Sequence, residues 1–158
     1  MSALVWTEAL QVNQPQMDRT HQEFVELLAD VRRVLQEDDG DAGHAAFERL
    51  LAHTVEHFGH EDRWMQATGF SPDNCHSRQH AMVLQTMRDV LRLAREGQPD
   101  PLGMVVRELA QWFPMHAQTM DAGLASHMAE MGFDPATGEV SGALPDTFLT
   151  HCGSAGCR

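Results

Sequence analysis

Apolar residues recur at helical spacing along four long segments of this 158-residue chain. Spacings of three and four residues bring side chains to one face of a helix, so each segment predicts a helix with one buried face. The predicted helices cover about residues 18–36, 41–68, 71–96 and 100–131. The alternating pattern that is typical of strands is absent from the sequence.

Capping and turn residues separate these segments. Gly69, Gly97 and Gly132 follow the ends of the last three helices, where a glycine commonly ends a helix. Ser71 and Asp100 stand where an N-cap is expected, each followed by a proline that suits the first helical position. Because the connections are short, neighbouring helices run antiparallel. The sequence therefore predicts an all-α, up-down-up-down four-helix bundle.

Two segments lie outside the predicted bundle. Residues 1–17 form an N-terminal arm, which we assign together with the helices to one domain, residues 1–132. Residues 133–158 are rich in Gly, Pro, Ser and Thr and have no helical period. We expect this C-terminal segment to be a loosely structured, flexible tail.

Seven polar side chains interrupt the apolar faces of all four helices. They are His21, His57, Glu61, His76, His80, His116 and Asp121. Burying an imidazole or carboxylate without a partner costs about a few kcal/mol, and more for a charge. A domain with a net stability of about 5–15 kcal/mol would not sustain seven such groups. The sequence therefore predicts that a metal is their common partner.

The donor types indicate which metal centre to expect. Seven nitrogen and oxygen ligands without a cysteine exceed one tetrahedral zinc site. They suit two octahedral ions with bridging carboxylates and one open position, and iron is the most consistent metal.

Two details of the helices bear on this site. His116 and Asp121 are five residues apart, about 140° around an ideal helix, and Pro114 lies just before them. We predict a kink or a π-helical widening near residues 110–121 that turns both side chains inward. Asp62, which follows Glu61, is expected on a solvated face and is given no role.

The ordered motifs resemble those of the bacterial hemerythrin family over roughly residues 5–131. They are "VW" in the arm, "MDRTHQEF", "HFGHEDRWM", "GFSPDNCHSRQH" and "WFPMHAQTMD". The resemblance implies two iron ions (Fe2+/Fe3+) joined by an oxo or hydroxo group and by Glu61 and Asp121. One iron would have three terminal ligands: His76, His80 and His116. The other iron, with His21 and His57, would keep the open position where O2 binds.

Reversible O2 binding needs a dry pocket, because water promotes the oxidation of reduced iron. Five apolar residues lie close to the proposed ligands along the chain and are candidates for its walls: Phe24, Phe58, Trp112, Phe113 and Ala117. Core packing is the alternative role for each of them.

The formal charge of −12 disfavours nucleic acids and anionic membranes as partners. No apolar run approaches the roughly 18–20 residues that span a bilayer, and the N-terminus lacks the basic region of a secretory signal. We therefore expect a cytoplasmic protein whose partner is O2, with a monomer favoured over an oligomer.

The leading functional hypothesis is a non-enzymatic di-iron protein that binds O2 for carriage, storage or sensing. A di-iron oxidase or peroxidase is an alternative, although such bundles use a carboxylate-dominated set with Glu-x-x-His pairs. A protein that buffers iron or zinc, or regulates through it, is a second alternative.

Overall fold

The computed structural model describes residues 3–37, 39–98 and 100–151. Its helices are α1 (Pro15–Leu35), α2 (Gly40–Ala67), α3 (Cys75–Arg95), α4 (Pro101–His116) and α5 (Ala122–Glu130), with a π-helical turn, Ala117–Asp121, joining α4 to α5. A short 3-10 helix, Glu8–Leu10, lies in the N-terminal arm. Within the described ranges there is no strand, only two isolated β-bridges.

The helices form a closed ring of contacts, in which α1 and α3 each pack against both α2 and α4. Because the π-helical turn continues α4 directly into α5, these three elements act as the fourth helix of the bundle. The predicted all-α four-helix bundle is confirmed. None of the helices in the described ranges is long and apolar enough to cross a membrane.

The start of α3 differs from the sequence prediction, which placed the N-cap at Ser71. Asn74 is the N-cap instead, because its side-chain oxygen accepts hydrogen bonds from the backbone N–H groups of His76 and Ser77. The Ser77 hydroxyl in turn accepts the backbone N–H of Asn74, which completes a capping box. The backbone N–H of Ser71 donates to the carbonyl of Leu149 at 2.8 Å, so Ser71 is held in an extended segment.

The other helix limits lie close to those predicted. Helix α1 begins at Pro15, ahead of the predicted start at Asp18, because the Gln14 side chain accepts the backbone N–H of Met17 at 2.6 Å. Gly69, the predicted residue after α2, has the positive φ of 98° that favours glycine at a helix end.

The C-terminal tail lies against the connection between α2 and α3. The backbone N–H of Leu149 donates to the carbonyl of Gly69, and that of Cys75 donates to the carbonyl of Thr150. Residues 133–151 contain no helix, and their only ladder pairings are isolated bridges at Phe133, Val140 and Leu149. Residues 152–158, also part of the predicted tail, lie outside the described residues.

Two apolar clusters fill the bundle at different positions along its helices. The larger cluster includes Phe24, Leu28, Leu50, Leu109 and Phe113. The smaller cluster includes Met17, Trp64, Met65, Leu124 and Met128. On α1, for example, His21 lies between Met17 of the smaller cluster and Phe24 of the larger one, and on α2 Glu61 lies between Leu50 and Trp64. The bundle therefore holds a polar layer between two apolar ones.

Candidate metal centre

All seven polar side chains predicted from the sequence are buried and lie close together in this layer. The most exposed of them, His57, has 3% of its surface accessible. Helix α1 contributes His21, α2 contributes His57 and Glu61, α3 contributes His76 and His80, α4 ends at His116, and the π-helical turn ends at Asp121. Every helix of the bundle therefore supplies at least one donor.

The π-helical turn places His116 and Asp121 in the same interior space. Nε2 of His116 lies 3.1 Å from Oδ1 of Asp121, although five residues separate the two side chains. The i→i+5 winding of Ala117–Asp121 reduces the rotation per residue, so both side chains face inward. The predicted widening near residues 110–121 is confirmed, and Pro114 lies inside α4 just before it.

The larger group of donors contains five residues: Glu61, His76, His80, His116 and Asp121. One ligand atom from each lies within 4.8 Å of all the others, a spacing that suits a single ion. Nε2 of His76 is 3.0 Å from Oδ1 of Asp121, and Nε2 of His80 is 3.3 Å from Oε2 of Glu61.

A second group shares Glu61 with the first. It consists of His21, His57 and Glu61, whose donor atoms also lie within 4.8 Å of one another. Nε2 of His57 is 2.9 Å from Oε1 of Glu61. Nε2 of His21 is 3.1 Å from Oδ2 of Asp121, which connects this group to the second carboxylate as well.

Each carboxylate divides its two oxygens between the two groups. Glu61 directs Oε1 to His57 and Oε2 to His80. Asp121 directs Oδ2 to His21 and Oδ1 to His116. Two ions placed in the two groups would therefore have both carboxylates between them.

Most donor atoms that face this space have no hydrogen-bond partner among the described residues. They are Nε2 of His21, His76, His80 and His116, Oε2 of Glu61, and both oxygens of Asp121. These atoms approach one another to 3.0–3.6 Å without hydrogen-bond geometry. Because unsatisfied buried polar groups are costly, the arrangement fits metal ions that would accept these lone pairs.

The histidines and carboxylates of the site shift one another's pKa values. Burial opposes a charged imidazole, but the nearby Asp121 and Glu61 together raise the pKa of His21 to about 10, and that of His76 also to about 10. Burial also opposes charged carboxylates, yet the surrounding histidines hold the pKa of Glu61 and of Asp121 well below the usual range. The carboxylates are thus ionised and available to a cation.

Comparison with known proteins agrees with this site. Residues 14–128 match the family model described as the hemerythrin HHE cation binding domain. This chain belongs to the hemerythrin family. It is 34% identical over 134 residues to a bacteriohemerythrin of Ralstonia nicotianae, an alignment that covers 85% of this chain and 95% of that protein.

More distant hemerythrin relatives also align over most of the chain. A bacteriohemerythrin of Pseudomonas aeruginosa is 24% identical over 123 residues, or 78% of this chain and 80% of that protein. One from Pseudomonas paraeruginosa has the same identity and coverage. The predicted resemblance to the hemerythrin family is confirmed.

Two residues that were not predicted contact the donors of this site from outside. Oδ1 of Asp62 lies 2.9 Å from Nδ1 of His80. Asp62 is partly exposed, as expected for a solvated face, and its contact with His80 was not predicted. Oε1 of Gln79 lies 2.6 Å from Nδ1 of His116 and 3.2 Å from Nε1 of Trp112. Both contacts join different helices, so spacing along one helix could not reveal them.

Two of the candidate pocket residues lie at or near the two-histidine group, and a third is buried on the fourth helix. The Phe113 ring is 5.2 Å from the ring of His21, edge to face, and 4.8 Å from that of Phe24. The Phe24 ring is in turn 6.5 Å from that of His57. Ala117 is fully buried on the π-helical turn.

The other two candidate pocket residues contact the three-histidine group. Phe58 stacks on His80 with ring centroids 3.9 Å apart, and its ring is also 5.3 Å from that of His57. Trp112 stacks on His116 at 4.4 Å. Phe58 therefore borders both groups, whereas Trp112 lies on the three-histidine side.

Proposed function

We propose that this chain is a non-haem di-iron protein that binds O2 reversibly. The observation that carries the proposal is the division of Glu61 and Asp121, each of which offers one oxygen to each histidine group. A donor set of imidazoles and carboxylates without thiolate is compatible with iron. Membership of the hemerythrin family supports the same conclusion.

The donor count explains why only one ion would have an open position. The first ion would have five protein donors, two of them from the carboxylates: Glu61, His76, His80, His116 and Asp121. The second would have four, from His21, His57 and the other oxygens of the two carboxylates. An oxo or hydroxo bridge would complete six ligands on the first ion and leave one position free on the second.

The protein residues determine what reaches this position. When bound, two ferrous ions would supply the electrons that O2 accepts on binding and returns on release. Phe24 and Phe113 line the two-histidine side with apolar surface, which would exclude water from this position. The side chains of these residues carry no ionisable group that could donate a proton at this position.

This environment favours binding over catalysis. Five imidazoles and two carboxylates differ from the carboxylate-dominated sets of ferritin-like di-iron sites. Apolar walls without a proton donor disfavour cleavage of the O–O bond. We therefore assign O2 carriage, storage or sensing to this chain, rather than oxidase or peroxidase activity.

One experiment tests the proposal. The purified chain is loaded with Fe2+ under anaerobic conditions, exposed to O2 and then returned to argon, while metal content and visible absorption are recorded. We expect two irons per chain and a visible band that appears with O2 and disappears under argon. Rapid irreversible oxidation with substrate turnover would support an oxidase or peroxidase. Absence of the band with zinc retained in preference to iron would support a metal buffer.

A further inference from the structure

The Nδ1 atoms of the histidines, which face away from the centre, differ in their hydrogen-bond partners. In the three-histidine group, Nδ1 of His80 contacts Asp62 at 2.9 Å and Nδ1 of His116 contacts Gln79 at 2.6 Å. In the two-histidine group, Nδ1 of His21 and Nδ1 of His57 are buried and have no hydrogen-bond partner among the described residues. Nδ1 of His76, the third histidine of the three-histidine group, also has no such partner, so the outer hydrogen bonds reach two of the three imidazoles in that group and neither imidazole in the other.

The contacts of Gln79 determine how its amide and the His116 ring are protonated. An indole nitrogen can only donate, so the atom that faces Trp112 must be the amide oxygen of Gln79. The same oxygen faces Nδ1 of His116, which must then also be a donor. With the proton on Nδ1, the neutral ring has its lone pair on Nε2, the atom that lies 3.1 Å from Asp121.

The contact of Asp62 has the same consequence for His80. A carboxylate accepts hydrogen bonds, so it holds the proton of the neutral ring on Nδ1. Nε2, which lies 3.3 Å from Oε2 of Glu61, is left with its lone pair towards the centre. A carboxylate partner also makes the imidazole a stronger donor to a metal. Asp62 is about one third exposed, so it can carry its charge without a buried counterion.

We propose that Asp62 and Gln79 are positioning residues that prepare the three-histidine group for metal and so set the order in which two ions enter. Because hydrogen bonds already hold the rings of His80 and His116 with Nε2 towards the centre, the first ion binds there. His21 and His57 lack such partners, so their position fills second and more weakly. This inference rests on the two-ion centre under Proposed function.

The test uses variants that keep or remove the acceptor oxygen. Asp62→Asn and Gln79→Glu keep an acceptor at the same place, whereas Asp62→Leu and Gln79→Leu remove it. Gln85→Leu is the control, since Gln85 lies on the same helix as Gln79, is exposed, and its side chain hydrogen-bonds to Asp89 rather than to a donor of the site. Each metal-free full-length chain is titrated with Co2+, whose visible absorption reports each ion as it binds.

We expect two separate binding steps in the wild-type chain and in the Gln85→Leu control. Each leucine variant should weaken the first step by about 10–100-fold, the usual effect of losing an outer hydrogen bond to a ligand. The asparagine and glutamate variants should keep the first step within a few-fold of wild type. Recovery by these conservative variants is a readout that a purely structural role would not produce.

A second measurement examines the tautomer directly. In 1H–15N spectra of the metal-free chain, the Nδ1–H of His116 should be protected from exchange and should lose this protection in Gln79→Leu. If a leucine variant does not fold, the alanine variant at the same position removes the acceptor oxygen with a smaller side chain and takes its place in the titration.

The titration distinguishes a failure of the two-ion centre from a failure of this inference alone. A wild-type chain that takes up fewer than two ions overturns the two-ion centre, and with it this inference. Two ions in the wild type with an unchanged first step in both leucine variants overturns the inference alone. Equal losses in the leucine and the conservative variants would also overturn it, because the acceptor oxygen would then have no part in binding.

Discussion

Nε2 of His116 and Oδ1 of Asp121 lie 3.1 Å apart in the core, although a regular α-helix would place these side chains about 140° apart. The π-helical winding of Ala117–Asp121 accounts for the difference. A π turn contains one residue more than an α turn, so five residues here cover the rotation that four cover elsewhere. This extra residue lets the fourth helix contribute both a histidine and a carboxylate to one site.

Removing or adding one residue inside this turn should have opposite effects. Deletion of Thr119 leaves a spacing of four residues, which an ordinary α-helix places on one face, so the variant should still bind two metal ions. Insertion of an alanine after Gln118 turns Asp121 away from the centre, and the metal content should fall to one ion or none. Both are measured by elemental analysis of folded protein.

Thr119 is half-buried and its hydroxyl donates within its own helix, to the carbonyl of Met115, which allows a substitution as the control. Thr119→Ala keeps the spacing and should behave as the wild type. If the deletion and the insertion lose metal to the same extent, the centre would require the widened turn itself. An inward direction of His116 and Asp121 would then not be sufficient.

Replacing Glu61 should disrupt both metal positions. Its two oxygens face different histidine groups, so Glu61→Ala removes one donor from each. We expect the metal content to fall from two ions per chain to one or none. Glu56→Ala, an exposed position on the same helix, is the matched control and should retain two. Unchanged metal content in Glu61→Ala would contradict the bridging role.

Metal uptake should release protons at neutral and mildly alkaline pH. In the metal-free chain Asp121 and Glu61 outweigh the effect of burial and raise the pKa of His21 and His76 to about 10, so both rings are protonated at pH 8. A metal needs their lone pairs, and these protons must leave. Titration calorimetry in two buffers of different ionisation enthalpy measures the number released.

The same pKa values predict how the stability of the metal-free chain varies with pH. A histidine whose pKa is raised above its unfolded value of 6.5 stabilises the fold fully below pH 6.5. This stabilisation is lost as the pH rises through about 10. The free energy of unfolding should therefore fall between about pH 7 and 10. The control is His53→Gln, since burial outweighs Glu23 and lowers the pKa of His53, which is already neutral in this range.

Replacing Phe113 should shorten the lifetime of the O2-bound form in addition to lowering the stability of the fold. Its ring lies 5.2 Å from that of His21, so Phe113→Leu would open space beside the two-histidine group. We expect a loss of about 1–2 kcal/mol in stability and a several-fold faster oxidation of the O2-bound form. Phe47→Leu, in an equally buried core position, should lose similar stability without this change. The decay of the visible band measures the rate.

Local patterns predicted most of the site because its donors interrupt otherwise apolar helix faces. His76 and His80 are one turn apart and followed by apolar residues, which is enough to predict that both point into the core. The start of α3 was less predictable. Ser71 and Pro72 have the composition of a helix start, but the contact of Ser71 with Leu149 competes with helix formation and Asn74 forms the better cap.

The sequence by itself determined the four helices, their antiparallel order and the seven inward donors, since these depend on spacing along single helices. The tertiary structure alone decided how Glu61 and Asp121 share their oxygens between two histidine groups. It also decided that Asp62 and Gln79 support the three-histidine group, because each contact joins atoms on different helices. Hydrogen bonds depend on tenths of an ångström and on ring orientation, and only the packed bundle fixes those.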